Sequence, residues 1–177
     1  MSIKITGIED IQKSLLSLEK KTKNLKPTLR AIGEMVRSCI DESFEEEISP
    51  FGEKWKPISS NTAFSYAGGK TKAFKKGAKS LKSGFLKRYG VYGDKRILVE
   101  SSNLKDSWGV KVDNKSVTVE SYAKSRGFPY GLTHQFGSAK KGIPARPFLP
   151  VDKNGNLEIN LKNDILEHIE DDLLKWD

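Results

Sequence analysis

Cysteine, histidine and long apolar runs are scarce in this chain, and each scarcity removes a class of function. The 177 residues include one cysteine, Cys39, and two histidines, His134 and His168. A lone cysteine forms no internal disulfide, which suits a reducing compartment and excludes a disulfide framework. Cys39 sits in apolar helical company, where a buried and inert thiol is expected. These three residues are too few for a His/Cys zinc site of the usual spacing, and neither a metal nor any other cofactor is expected. No run approaches the roughly 18 consecutive apolar residues of a membrane span, and Met1 to Thr6 carries no signal-peptide stretch. The expected place is the cytoplasm where the chain is made, with no membrane partner.

Catalytic motifs are lacking too. The triplet Gly69-Lys70-Thr71 suggests a phosphate loop, but the position five residues before Gly69 is Phe64 where that loop requires glycine. His134 has no G-x-S-x-G or comparable element beside it, so a packed structural histidine is expected, and His168 among its acids reads as a surface position. Paired carboxylates occur only on acidic helix faces, where solvated charge is the ordinary explanation. An enzyme is not expected.

What remains is a chain of one-core size with 36% hydrophobic and 31% charged residues. That balance predicts a single domain over 1–177 with a long polar insertion. From Ile8, apolar residues Ile11, Leu15 and Leu18 recur at helical spacing, and the stripe closes on Lys20, Lys21 and Lys23. Pro27 suits the first turn of a second helix striped by Leu29, Ile32, Val36, Cys39, Ile40 and Phe44. That helix ends in Asp41, Glu42, Glu45, Glu46 and Glu47, the unfavourable sign for a C-terminus. A compensating base is one reading, and carboxylates simply facing water is the favoured one.

The net charge is +8, and its centre lies in a basic, flexible insertion around 66–96. Lys70, Lys72, Lys75, Lys76, Lys79, Lys82, Lys87, Arg88, Lys95 and Arg96 stand there against Asp94 alone. Glycines at 68, 69, 77, 84, 90 and 93 predict a mobile loop. Phe74, Phe85, Tyr89 and Tyr92 are interspersed, which suits either base stacking in a DNA contact or anchoring of a partner-contacting loop. Further on, Val110, Val112, Val117 and Val119 flank Asp113 to Ser116 as a β-hairpin with all four valines on one face, leaving Lys111 and Thr118 on the other. A short helix is expected near Tyr130 and His134. Prolines 144, 147 and 150 forbid a central strand and predict an outward edge or arm, with Phe148 toward the core and Arg146 on a different side, where its guanidinium holds a carboxylate or backbone carbonyls, either to place the arm for assembly or as a clamp inside its own subunit. A last helix carries Ile165, Ile169, Leu173 and Trp176. The fold class is therefore α+β: an N-terminal helix pair and a C-terminal helix packed on a small antiparallel sheet, with a long basic loop.

Three stretches taken in order carry a resemblance. They are Phe51-Gly52-Glu53-Lys54-Trp55-Lys56-Pro57, then Tyr130-Gly131-Leu132-Thr133-His134-Gln135-Phe136-Gly137, and Ile143-Pro144-Ala145-Arg146-Pro147-Phe148-Leu149. Together with Leu104 and Ser107 before the hairpin, they resemble the phage virion morphogenesis family, which includes tail-completion proteins of Mu-like and related phages. The family's motif positions fall here on Gly52, Trp55, Pro57, Leu104, Ser107, His134, Gln135, Gly137, Pro144, Arg146, Pro147 and Phe148. Asn103 stands where the family usually has glycine, and the basic segment is longer than usual. The resemblance implies an α+β virion component without an active site. Its partners would be other tail or head-tail junction proteins, and its place the bacterial host cytoplasm during assembly and then the virion. The basic segment, acidic helix faces and arm suggest copies closing into a homo-oligomeric ring. A basic nucleic-acid-binding module is the alternative, with Lys70 to Arg96 on phosphates and Phe85, Tyr89 and Tyr92 on bases.

Overall fold

The computed structural model describes residues 16–17, 19–20, 24–77, 79–90 and 93–174. Residues 16–17 and 19–20 are helical, and the rest of the expected first helix lies outside the described residues. Helix α1, Lys26–Glu46, forms where the apolar stripe predicts it, with Pro27 in its first turn. The class is α+β, with one antiparallel sheet made of β1 (Trp108–Val112) and β2 (Val117–Ser121). The chain divides into two compact units: the described residues up to Cys39 with Trp108–Glu120 and those from Pro150 on, and Ile40–Ser107 with Ser121–Leu149.

In the first unit the hairpin register is set at its turn. The Asp113 N–H donates to the Ser116 carbonyl at 3.0 Å, which places Val112 opposite Val117 and Val110 opposite Val119. Asp113 Oδ1 accepts the N–H groups of Lys115 and Ser116, each at 2.7 Å, and these bonds hold its carboxyl below the usual range. The valine face meets α1 at Gly33. A Cβ there would lie 2.7 Å from Val117 Cγ2 and would overlap Val110 Cγ1. Glycine inside a helix costs about 1 kcal/mol relative to alanine, and here it lets helix and hairpin approach. On the other face, Lys111 pairs with Glu120.

A tight turn then leads into the last helix, α7 (Ile159–Leu174). Asp152 Oδ1 accepts from Asn154 N and Asn156 N at 2.8 Å each, and Val151 pairs with Leu157. Glu158 caps the helix, its carboxylate accepting the Leu161 N–H at 2.8 Å. Leu161 is buried and Ile165 and Ile169 are half-buried, along the expected stripe, while Thr28 of α1 donates to the Asp172 carboxylate. Trp176 lies outside the described residues.

The second unit holds short helices: α2 (Ser60–Tyr66), α3 (Lys70–Ala73), α4 (Ser83–Tyr89), α5 (Asn103–Asp106) and α6 (Gly131–Phe136). The basic segment thus carries local helical structure where an irregular loop is expected, and its aromatics explain why. Phe64 stacks on Phe74 at 5.9 Å and on Phe85 at 5.3 Å, and Phe85 continues to Tyr89 at 5.2 Å. Ala73 is wholly buried and Phe74 bridges Leu81, so α3 and α4 flank a small apolar cluster of their own. Before the hairpin, the left-handed residue is Ser102 at φ 56°, one place earlier than Asn103.

Gly33→Ala tests the helix–hairpin approach. Overpacking is worth about 1–3 kcal/mol and outweighs the gain in helix propensity, so thermal melts should show a lower Tm. Adding Val110→Ala should restore part of the loss. A Gly33→Ala variant melting at or above the parent would show that the valine face yields freely.

Candidate functional site

The three motif stretches converge in the second unit. After α1, the chain turns at Gly52 (φ 85°), Ser49 N–H donates to Glu53 O at 2.7 Å, and Trp55 N–H returns to Glu47 O at 2.8 Å. This reversal lays the buried Trp55 ring edge-on against Phe44 of α1, with centroids 5.4 Å apart. The proline-rich segment crosses beside it. Trp55 Nε1 donates to Pro147 O at 2.7 Å, and Phe148, 1% exposed, packs on Phe44 at 5.2 Å.

Helix α6 holds that segment by its backbone. Gln135 is buried, and its Oε1 accepts the N–H groups of Phe148 at 2.9 Å and Leu149 at 3.0 Å. The His134 carbonyl accepts the Arg146 N–H at 2.7 Å. Gly137 leaves α6 at φ 73°, where a Cβ would stand 2.7 Å from Ala145 N, so only glycine fits. Leu104 is buried against Gly131, and Ser107 links the turn, donating to Leu104 O at 3.2 Å and bonding Ser121 Oγ at 2.7 Å.

Residues 143–150 are therefore an internal strap, which corrects the expectation of an outward arm. Arg146 is 6% exposed, and its Nε and Nη2 donate to Lys56 O at 2.8 Å and Pro57 O at 3.0 Å. The guanidinium fork replaces its water with two carbonyls of the Trp55 loop, so it clamps its own subunit instead of projecting away. Burial pushes its pKa down from the ordinary value, with Tyr66 and Glu47 opposing. The His134 ring is half-buried and edge-on to Tyr130, with Nδ1 buried and without a hydrogen-bond partner. That burial, with Arg146 nearby, pushes the His134 pKa below its usual 6.5. Trp55, Gln135, Arg146 and Phe148 thus face backbone or another ring.

The acidic end of α1 has basic partners, contrary to the favoured solvated reading. Arg96 Nη2 donates to the Phe44 carbonyl at 2.7 Å and also to that of Glu45, while its Nε lies 3.5 Å from the Glu47 carboxylate. Lys105 pairs with Glu45 and, through that hydrogen bond, holds the Glu45 carboxyl below the usual range. Glu47 also accepts the Ile97 N–H at 2.6 Å. An acidic helix end calls for cations, but only the folded chain identifies Arg96 and Lys105 as the ones that arrive.

The candidate contact residues Lys70, Lys72, Lys75, Lys76, Lys79, Lys82, Lys87 and Arg88 are all exposed. Lys72, Lys75, Lys82 and Arg88 surround a groove of about 640 Å³ whose walls include Tyr66, Phe85 and Tyr89. Phe85 and Tyr89 are half-buried and pack in the ring cluster while also lining the groove; Tyr92 lies outside the described residues. Lys70 sits over Phe64 at 5.7 Å, and Lys95 over Tyr66 at 5.1 Å.

The model of the phage virion morphogenesis family matches residues 4–170. The chain belongs to that family, and its role lies in assembly of the phage particle. No curated protein and no solved structure gives a significant match. Among the described residues, no helix is long and apolar enough to cross a membrane.

Two predictions follow the strap. Arg146→Lys should lower stability by about 1–3 kcal/mol, because one ammonium cannot reproduce the two-carbonyl fork; Phe148→Ala should lose about 3–5 kcal/mol from the core. Urea unfolding of both variants reads this, and a parent-like Arg146→Lys curve would exclude the clamp. The second concerns pH. His134 binds a proton less readily in the folded chain than in the unfolded one, where it does so near pH 6.5, so stability is full above that pH and declines as pH falls through it. His134→Gln should flatten the part of that decline that begins at about pH 6.5, above the window of the carboxylates. An unchanged pH profile would place the decline elsewhere.

Proposed function

We propose that this protein completes the phage tail or joins it to the head, as a non-catalytic subunit acting through repeated copies closed in a ring. The carrying observation is where the motif residues go. Trp55 bonds the Pro147 carbonyl, Arg146 the carbonyls of Lys56 and Pro57, Gln135 the Phe148 N–H, and the Phe148 ring packs on Phe44, so the groups that would equip a reactive cleft instead brace a fold. Family membership supplies the context of virion assembly. Tail and head-tail junction proteins are the partners this reading requires, met in the host cytoplasm and retained in the virion.

A second reading, contact with DNA, is favoured by the cations around the groove. With the aromatic rings occupied among themselves, such a contact would engage phosphates, and its affinity would fall steeply with salt.

Deleting the gene from the phage or prophage that encodes it tests the first reading. Electron microscopy should show filled heads and separate tails, and purified protein added to the lysate should restore joined, infectious particles. Complete particles without the protein would reject the proposal, and heads lacking DNA would place the protein at an earlier step.

A further inference from the structure

We infer that the basic groove of one copy receives the acidic ridge of helix α7 from a second copy, a heterologous contact that builds the proposed ring. This inference rests on the ring reading above.

The groove is one-signed. Lys72, Lys75, Lys82 and Arg88 surround it, and among the described residues no carboxylate lines it, Glu100 standing behind at the Tyr66 hydroxyl. Four cations at one concavity repel each other, so this face favours an anionic occupant. Its wall is aromatic, with Tyr66 and Tyr89 packed together at 6.4 Å and Tyr89 against Phe85. The fitting occupant therefore combines several carboxylates with an apolar group between them.

Helix α7 carries that combination. Leu161 is buried and Ile165 half-buried, which turns Asn163, Leu166, Glu167 and Glu170 to the exposed side with Asp164 beside them. Leu166 remains 48% exposed, with Glu170 four places on and the exposed Lys162 four places before it. Helical neighbours three and four apart form one ridge, so Glu170 stands beside both Leu166 and Glu167 and joins them in one exposed strip. The apolar tip fits the tyrosine wall and the carboxylates fit the cationic rim. Donor surface and acceptor surface differ, so each copy offers both, and successive contacts propagate until the ring closes.

Phosphodiester backbone would satisfy the cations as well, but it brings no apolar group to the Tyr66 and Tyr89 rings.

Sedimentation of the full chain and two exposed-residue variants tests this. At about 0.01 M salt, where the screening length is roughly 30 Å, the parent should self-associate, and at about 0.15 M salt the tendency should weaken at least tenfold. Lys72→Glu/Lys75→Glu removes the groove's sign, and Glu167→Lys/Glu170→Lys removes the ridge's. Each variant alone should remain monomeric with a parent-like circular dichroism spectrum. An equimolar mixture should self-associate in alternating copies, because each variant's groove then meets a ridge of the opposite sign on the other. Combining all four substitutions in one chain should restore self-association. Self-association of both single-face variants at parental strength would overturn the inference, and so would a mixture that stays monomeric. Loss of short-duplex DNA binding in Lys72→Glu/Lys75→Glu, with self-association unchanged, would overturn it in favour of phosphate contact. Head-tail joining on gene deletion is scored separately, so the ring contact can fail while the assembly role stands.

Discussion

The Gln135 side chain and the backbone it receives are the constraint on which the second unit rests. Prolines 144, 147 and 150 remove three N–H donors from one short segment, so no sheet can pair with it continuously. The N–H groups that remain at Phe148 and Leu149 lie in or beside the core, and each would cost about 1–3 kcal/mol if left unbonded there. One amide oxygen accepts both. With the strap so fixed, Phe148 reaches Phe44, Trp55 finds the Pro147 carbonyl, and Arg146 aims its fork at the loop that carries Trp55. Gly137 belongs to the same logic, since any side chain there would enter the strap's backbone.

The end of α1 solves a different problem. Glutamates at 45, 46 and 47 add negative charge where the helix dipole already presents unbonded carbonyls. Exposed ion pairs alone are worth about 0–1 kcal/mol each. Arg96 does more than pair, because its Nη2 also satisfies the Phe44 carbonyl. The basic segment thus returns to α1 at its last residue, and the acids that look unfavourable in isolation become the anchor for that return.

Local patterns carried much of this. The valine alternation foretold the hairpin and its register, because period two and a four-residue turn leave little choice. The α1 stripe foretold Phe44 as core. The motif residues were legible as a set, through resemblance, but their roles were not. For Arg146 the sequence leaves an assembly role and a clamp within its own subunit open, and its partners prove to be the carbonyls of residues 56 and 57, which sequence pattern cannot display. The stacking of Phe64, Phe74 and Phe85 is hidden for the same reason: their spacing matches no helix or strand period, and the contacts arise only once short helices reverse the chain.

A subunit with its chemistry-bearing side chains turned inward must be recognised through its surface, and here that surface is chiefly lysine. Exposed lysines pair weakly, lose side-chain freedom on contact and respond to salt. They suit fast, steered encounters more than lasting ones, since charge acts mainly on association while desolvated apolar contact governs dissociation. In the proposed ring, Leu166 against Tyr66 and Tyr89 would be a small apolar contact, so one such joint between free subunits would be short-lived. Were that joint repeated around a closed ring, each copy already held would raise the effective concentration for the next. Weakness at one contact and strength in the closed set would then let single subunits stay dispersed and still hold firmly once assembled.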